Sequence, residues 1–422
     1  MSGVNRPELL SPAGSMESLK AAVNGGCDAV YLGGKQFSAR QYAGNFDLKE
    51  LEDACDYCHL RGVKVYVTVN TVYKDEELAG FLTYIRSLYE MGVDALIMQD
   101  TGAERLVKAH FPDFPLHAST QMTCNSLADV KYWEGRGFDK IVLSRELSLE
   151  EIKHITENTE AEIETFVHGA LCVCYSGQCI MSSMLGGRSG NRGRCAQTCR
   201  LPYTLYKGYD SMAEGYLLSP KDVMTVEILP QLIEAGIASL KIEGRMKSPE
   251  YVAGVTRIYR KYIDLYFENP EEYKVDPADI KALQQLFNRG GFTEGYYTSF
   301  AGREMMSIER PKSWGLKVGI VDKYLPKYKK VTIRTREPLV PGDGLEIWTQ
   351  TEPHVGTNVS KHSKAGEVIT ITLEGDINKN DVVYRTFGKA LQDELKKTYE
   401  KDADLRDAAC EGGRADFLTA LG

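Results

Sequence analysis

Short apolar segments alternate with amphipathic helical segments from the start of the chain, and this rhythm constrains the fold more than any other feature. Eight segments are strand candidates, and many of them are nearly continuous runs of β-branched or apolar residues, which is typical of parallel strands covered on both faces. They are residues 8–11, 29–32, 64–69, 95–99, 115–119, 140–144, 162–167 and 238–242. Several intervening helical segments end at glycine. The count and spacing predict a (β/α)8 barrel, with an open doubly wound sheet as the alternative.

This alternation of strand and helix segments is interrupted after the seventh strand and ends near residue 270. Residues 169–237 hold a cysteine-rich segment, a hairpin at 202–207 and 215–219, and a helix at 221–235, all predicted as an insertion in the barrel domain of residues 1–270. Residues 271–312 are predicted as a helical linker. Evenly spaced short strands predict a small antiparallel β-barrel over 313–390, and a charged helix and tail follow over 391–422.

Composition narrows the class of protein. The net charge of −8 argues against a general nucleic-acid-coating protein but permits a local basic site. The N-terminal residues show no secretory signal, and no apolar run reaches the roughly 18 residues of a membrane span. Ten cysteines without a signal predict a cytoplasmic protein whose grouped thiols bind metal instead of forming disulfides.

Five of the ten cysteines lie between residues 172 and 199. Four of them form the spacing C-x6-C-x15-C-x3-C, at Cys172, Cys179, Cys195 and Cys199. Glycines between them allow the loop to fold back, and Arg188, Arg192, Arg194 and Arg200 would offset thiolate charge. The spacing favours an iron–sulfur cluster over a structural zinc site, which prefers short paired spacings, and over free thiols. Cys174 is predicted to be a bystander, because it points away from Cys172 in an extended segment.

Polar residues follow the predicted strands and should face a pocket at the carboxyl end of the barrel. Candidate substrate-binding residues are Arg40, Asn70, Gln121, Arg145 and Arg245, and candidate proton-transfer residues are Glu146, His168 and Glu243. Arginine suits bidentate binding of a carboxylate or phosphate. A structural ion pair of Arg145 with Glu243 is an equally good interpretation.

Other motifs are weaker. The chain contains neither H-E-x-x-H nor G-x-S-x-G, although a Cys/His pair from distant segments stays open. The four arginines of the cysteine segment, with Tyr175 and Tyr203, form a basic strip that could contact RNA phosphate and stack a base. Charge balance for a metal centre is the simpler interpretation of that strip.

Several segments together resemble peptidase family U-thirty-two, the collagenase-like proteases. The stretch ETFVHGALCVCYSGQC at residues 164–179 matches the family signature, and NRGRCAQTCR, ELLSPAGS and KIEGRMKSPEYV are also similar to it. The resemblance covers roughly residues 6–400. CAQTCRLPY is most similar to the branch that acts on ribosomal RNA.

The resemblance implies an activity. Better-understood members are oxygen-independent hydroxylases that carry a [4Fe–4S] cluster and modify a tRNA uridine, a 23S rRNA cytidine or a ubiquinone precursor, with prephenate implicated as hydroxyl donor. By motif match, Cys172, Cys179, Cys195 and Cys199 would hold the cluster. The hypothesis is therefore an RNA pyrimidine hydroxylase with rRNA or tRNA and a small carboxylate as partners. A peptidase and a zinc-stapled, non-catalytic RNA-binding protein are the alternatives.

Overall fold

Eight parallel strands close into a barrel. The computed structural model describes residues 4–40, 44–299, 302–350 and 352–400. The first seven strands are β1 (Glu8–Pro12), β2 (Ala29–Gly33), β3 (Lys64–Val69), β4 (Ala95–Met98), β5 (Leu116–Ala118), β6 (Lys140–Val142) and β7 (Glu162–Ala170). After β8 (Tyr203–Lys207), β9 (Asp210–Gly215) and β10 (Asp222–Met224), strand β11 (Ser239–Ile242) pairs in parallel with both β7 and β1. The predicted barrel is confirmed, and the open sheet is excluded.

Helices separate the barrel strands along the chain, and further helices lie in the insertion after β7 and beyond the last barrel strand. They are α1 (Met16–Asn24), α2 (Leu48–His59), α3 (Leu78–Glu90), α4 (Thr101–His110), α5 (Leu127–Glu134), α6 (Leu149–Thr156), α7 (Met181–Gly186), α8 (Leu229–Glu234), α9 (Pro249–Glu268), α10 (Pro277–Leu286) and α11 (Lys389–Glu400). Ser15, Asp47, Ser148 and Ser248 cap their helices by accepting a backbone N–H of the first turn, which satisfies a donor that the helix leaves free. Within the described residues, no helix is long and apolar enough to cross a membrane.

The barrel interior is partly charged. Lys140 Nζ lies 2.7 Å from Glu8 Oε1, and Lys241 Nζ lies 2.6 Å from Glu164 Oε1. Ser239 Oγ lies 3.0 Å from a carboxylate oxygen of each of the two glutamates and joins the two pairs. The side chains of Lys140, Lys241 and Glu164 are at most 5% exposed, so each charge depends on its partner.

The insertion lies on the carboxyl end of β7, as predicted. Strands β8 and β9 form a separate two-stranded sheet, whereas β10 pairs antiparallel with the end of β7 and parallel with β12 (Phe292–Thr293). The helix predicted over 221–235 is therefore wrong in its first part. Residues 222–224 pair with residues 168–170 of β7, and this distant backbone partner makes the segment a strand, while the carboxylate of Asp222 binds Arg289 at 2.6 Å.

The small second domain is a curled antiparallel sheet, which confirms the predicted β architecture. Its strands are β13 (Leu316–Leu325), β14 (Lys330–Thr335), β15 (Gly344–Trp348), β16 (Val355–Asn358), β17 (Val368–Thr372) and β18 (Val382–Phe387), in the order β16-β15-β18-β13-β14-β17. Val318, Ile333, Ile347 and Val383 pack in its own core. Helix α11 returns to the barrel and packs on α1 and α9. The tail predicted after this helix lies outside the described residues.

Candidate active site

A pocket opens at the carboxyl end of the barrel strands. It is lined by Tyr31, Ala39, Arg40, Thr68, Asn70, Ile97, Ser119, Thr120, Gln121, Arg145, Phe166, Lys241, Glu243 and Arg245. All five predicted substrate-binding residues are among them, together with Glu243. They converge because the ends of parallel strands meet at the same rim of a closed barrel.

Glu243 is the centre of the charged groups in the pocket. One carboxylate oxygen lies 3.5 Å from a terminal nitrogen of Arg40, and the other lies 3.3 Å from one of Arg145. The Arg145 guanidinium also lies 3.8 Å above the ring of Phe166, which holds its plane. The ion pair that the sequence suggested for Arg145 and Glu243 is present, and Arg40 extends it.

Arg245 is held in a socket behind this pair. Its guanidinium donates to Ser38 Oγ and to Thr68 Oγ1, both at 2.8 Å. A Cβ at Gly33 would lie 2.4 Å from the same guanidinium, and a Cβ at Gly14 would lie 2.0 Å from the Arg245 carbonyl. Glycine at both positions therefore makes room for a buried arginine, which is 5% exposed.

The pocket is electropositive. Burial alone would raise the pKa of Glu243, but Arg40, Arg145 and Arg245 outweigh burial and lower that pKa, so the carboxylate is ionised. Burial, followed by repulsion from Arg40, lowers the pKa of Arg245 to about 10. Three guanidinium groups face one carboxylate, which leaves two positive charges for a bound anion. The arrangement suits a small molecule with two carboxylates or a phosphate.

Amide side chains complete the rim. Asn70 Oδ1 accepts the N–H of Ala39 at 3.1 Å, and Asn70 Nδ2 donates to Ser119 Oγ at 3.3 Å. Gln99 Nε2 donates to Gln121 Oε1 at 2.6 Å. These bonds fix the orientation of Asn70 and Gln121 at the pocket.

The cysteine loop, residues 172–200, packs on this rim. Gln99 Nε2 donates to the Asn191 carbonyl at 3.2 Å, and Arg192 pairs with Glu77 at 2.7 Å, which lowers the pKa of Glu77 to about 2. Gly193 has a positive φ of 74°, and a Cβ there would lie 2.5 Å from the Ser38 carbonyl. Two polar anchors and one close backbone contact therefore place the loop over the edge of the pocket.

The four predicted ligand thiols share one electrostatic neighbourhood. Burial raises the pKa of Cys199, and the charges of Cys172, Cys195 and Cys179 raise it further, against Arg200. Cys172 and Cys195, after Glu243, also raise the pKa of Arg40, which connects the thiols to the pocket. Among the described residues, no three cysteine, histidine, aspartate or glutamate side chains stand in a ligating arrangement around one point. The thiols are neighbours that a metal centre would have to draw together.

The donor set fits an iron–sulfur cluster in its chemistry. Four cysteines on one loop supply the thiolates that such clusters require, and the loop has no aspartate or glutamate. Arg40 and Arg200 stand close enough to interact with the thiolate charges. Cys174 shares a hydrogen bond with Cys179, so the predicted bystander lies beside one of the four.

Glu146 lies beneath the cysteine loop and not in the wall of the pocket. One of its carboxylate oxygens accepts the N–H of Ser176 at 3.1 Å, and Oε2 is buried without a hydrogen-bond partner. Burial raises the pKa of Glu146. Of the three predicted proton-transfer residues, Glu146 is the one that combines a raised pKa with an unpartnered oxygen.

His168 lies behind the pocket in an aromatic cage. Its ring is 1% exposed and stands near Tyr251, Tyr259 and Phe292, with Nδ1 3.4 Å from the Tyr259 hydroxyl. Burial lowers its pKa to about 3, with a smaller contribution from Lys247. At neutral pH the imidazole is uncharged and packs as an aromatic ring.

A pH dependence of stability follows from His168. The folded pKa lies below the unfolded value of 6.5, so its contribution is complete above pH 6.5 and is lost as the pH falls towards 3. We expect the wild type to lose about 2 kcal/mol relative to a His168→Phe variant between about pH 8 and pH 5. Denaturant unfolding at a series of pH values measures this difference. Parallel pH profiles for the two proteins would contradict it.

Several residues of the pocket were missed from the sequence. Tyr31, Thr68 and Lys241 lie inside predicted strands and not at their ends, and Ser38, which holds Arg245 from behind the pocket, lies in a loop. The alternation of side chains along a strand was the available signal, since Tyr31 and Thr68 share the inward face with neighbouring strands. Their contacts with Arg245 and Lys241 could not be predicted from the sequence, because they form only when the barrel closes.

These features define a (β/α)8-barrel protein with an arginine-rich pocket and a cysteine loop at its mouth. The chain belongs to peptidase family U32, whose family model matches residues 14–307.

Its relatives carry the names of enzymes of two kinds. It is 37% identical over 352 residues to tRNA hydroxylation protein P1 of Bacillus subtilis, covering 81% of this chain and 83% of that protein. It is 40% identical over 371 residues to the 23S rRNA 5-hydroxycytidine synthase of Escherichia coli, covering 86% of this chain and 55% of that protein. It therefore spans about half of the latter. A collagenase of Porphyromonas gingivalis is 36% identical over 312 residues, covering 70% of this chain and 74% of that protein.

Proposed function

We propose that this chain hydroxylates a pyrimidine of RNA in the cytoplasm, with prephenate as hydroxyl donor and a [4Fe–4S] cluster on Cys172, Cys179, Cys195 and Cys199. The observation that carries the proposal is the pocket of three arginines and one glutamate at the edge of the four-thiol loop. Prephenate is a dicarboxylate, so its two charges match the two uncompensated positive charges. The names of the relatives from Bacillus subtilis and Escherichia coli support RNA as the substrate.

The side chains in and around the pocket have different roles in this reaction. Arg40, Arg145 and Arg245 bind the donor carboxylates, and the ionised Glu243 bridges Arg40 and Arg145 and orients them. Glu146, beneath the cysteine loop and outside the pocket wall, can hold a proton at its buried Oε2, because burial raises its pKa. A bound cluster supplies one-electron chemistry that these side chains lack.

Hydroxylated nucleosides test this function. A strain that lacks the gene is expected to lose a 5-hydroxylated pyrimidine from tRNA or rRNA, measured by nucleoside mass spectrometry. The wild-type gene should restore it, and a Cys199→Ser gene should not. Cys124→Ser is the matched control, because Cys124 is fully buried in the barrel core and outside the loop. An unchanged nucleoside profile in the deletion strain would refute the proposal.

Metal analysis separates the cluster from zinc. Protein purified without oxygen is expected to hold about four iron and four sulfide per chain, and substitution of Cys199 should reduce both. Stoichiometric zinc with unchanged RNA nucleosides would favour the non-catalytic RNA-binding alternative.

The peptidase alternative has the family name and the collagenase relative in its favour. A cysteine peptidase needs a thiol beside a histidine. All five cysteines of the loop are described, and none of them shares a hydrogen bond with a histidine, while His168 faces Tyr259 instead. Gelatin cleavage that disappears with a loop thiol, together with unchanged RNA, would establish this alternative.

A further inference from the structure

The β8–β9 hairpin extends from the cysteine loop with both faces uncovered. Apart from its base at Tyr203 and Gly215, every residue of the two strands is exposed, and the strands pair only with each other. Tyr206 is 60% exposed and Tyr209, at the turn, is completely exposed. A group of large apolar and aromatic side chains left in solvent indicates a surface that binds something.

The base of this hairpin is fixed beside the pocket. Arg200, three residues before β8, donates to the Leu171 carbonyl at 2.9 Å and to Ser219 Oγ at 2.7 Å. On the other side, the N–H of Tyr216 donates to the Ile308 carbonyl at 2.8 Å. The hairpin is therefore anchored at the end of β7 and presents its tip away from these contacts. A molecule that runs along the hairpin from its tip to its base would reach the end of β7, beside the candidate active site.

The adjoining loop is positively charged. Residues 172–200 contain four arginines and no aspartate or glutamate. Arg192 is paired with Glu77, whereas Arg194 is exposed and forms no salt bridge with any residue that the structure describes. Tyr175, also on the loop, is 60% exposed. Exposed aromatic rings together with an exposed arginine on the adjoining loop are a combination that suits single-stranded nucleic acid, which binds by stacking and by phosphate contacts.

We propose that the β8–β9 hairpin is the docking arm for an unpaired segment of the RNA substrate. Tyr206 and Tyr209 stack on bases, and Arg194 binds a phosphate. The arm holds the RNA strand so that its neighbouring nucleotide reaches the pocket. This inference rests on the proposed function for the choice of RNA over a protein partner.

Binding of a labelled poly(U) oligonucleotide to the full chain tests the arm. A Tyr206→Ala/Tyr209→Ala variant is expected to bind about tenfold or more weakly, because each base that stacks on an aromatic ring contributes substantially to affinity. Tyr206→Phe/Tyr209→Phe should bind like the wild type, since the ring is retained. Tyr328→Ala is the matched control: Tyr328 is 61% exposed but lies on the small domain. Unlabelled tRNA should compete with the oligonucleotide.

The outcomes separate the arm from the proposed function. An unchanged affinity of the double alanine variant overturns the docking arm, even if the wild type hydroxylates RNA. Loss of binding in that variant supports the arm, even if no hydroxylated nucleoside is found and the proposed function fails. A wild-type dimer that becomes monomeric in the variant, with RNA binding unchanged, shows that the arm binds a second copy and overturns the inference.

Discussion

Replacing Lys241 by methionine is expected to lower the free energy of unfolding by about 3–5 kcal/mol, since it leaves a buried carboxylate unpaired. Glu164 is completely buried, and among the residues that the structure describes its carboxylate has two hydrogen-bond partners, Lys241 Nζ at 2.6 Å and Ser239 Oγ at 3.0 Å. Without the ammonium group, the carboxylate must either stay charged in a dry interior or take up a proton. Denaturant unfolding with a two-state fit measures the loss.

A double variant shows whether the unpaired charge or the changed packing causes this loss of stability. Lys241→Met combined with Glu164→Leu removes both charges and should recover most of the stability, because a buried ion pair replaced by apolar residues of similar volume is close to neutral. Lys396→Met is the control, since its pair with Glu400 at 3.6 Å is solvent-exposed and should contribute little. If the double variant is as unstable as the single one, packing and not charge is responsible.

Replacing Glu243 by glutamine is expected to lower the stability of the protein and to increase the stabilisation that a bound anion provides. The variant keeps Arg40, Arg145 and Arg245 together without their carboxylate, which should lower the free energy of unfolding by about 3 kcal/mol. A dicarboxylate such as succinate supplies the missing charge. It should therefore raise the melting temperature of Glu243→Gln more than that of the wild type, by mass action on the folded state.

Two controls test whether the effect of succinate depends on its charge and on the loss of the carboxylate at position 243. Glycerol, which has no charge, should stabilise both proteins equally. Glu394→Gln removes a carboxylate from an exposed pair with Arg257, so it should respond to succinate as the wild type does. No rise in the melting temperature of either protein with succinate would show that the pocket does not bind the anion, and an equal rise in both would show that Glu243 does not compete with the anion for the arginines.

The barrel and much of the pocket could be predicted from the sequence. The strand predicted at 64–69 has those bounds in the structure, because parallel strands buried on both faces need continuous apolar residues. Arg145 and Glu243 were identified as polar residues directly after predicted strands. In a closed parallel barrel, this position alone brings them to one rim.

Other features could not be predicted from the sequence, because they depend on contacts between residues that lie far apart along the chain. Lys241 pairs with Glu164 across 77 residues, and Arg245 takes its hydroxyl partners from Ser38 and Thr68. The segment predicted as a helix at 221–235 begins as strand β10, because its backbone pairs with the end of β7. A pattern of neighbouring residues carries no information about partners that lie so far apart in the sequence.

The sequence by itself therefore determined the barrel rhythm, the insertion after the seventh strand and the four cysteines with their family signature. Periodicity and spacing are local properties, and they can be read along one chain. Only the tertiary structure decided that Glu243 lies between Arg40 and Arg145, that two positive charges remain uncompensated, and that the hairpin stands uncovered beside the pocket. These are relations between separate strands and loops, and barrel closure fixes them.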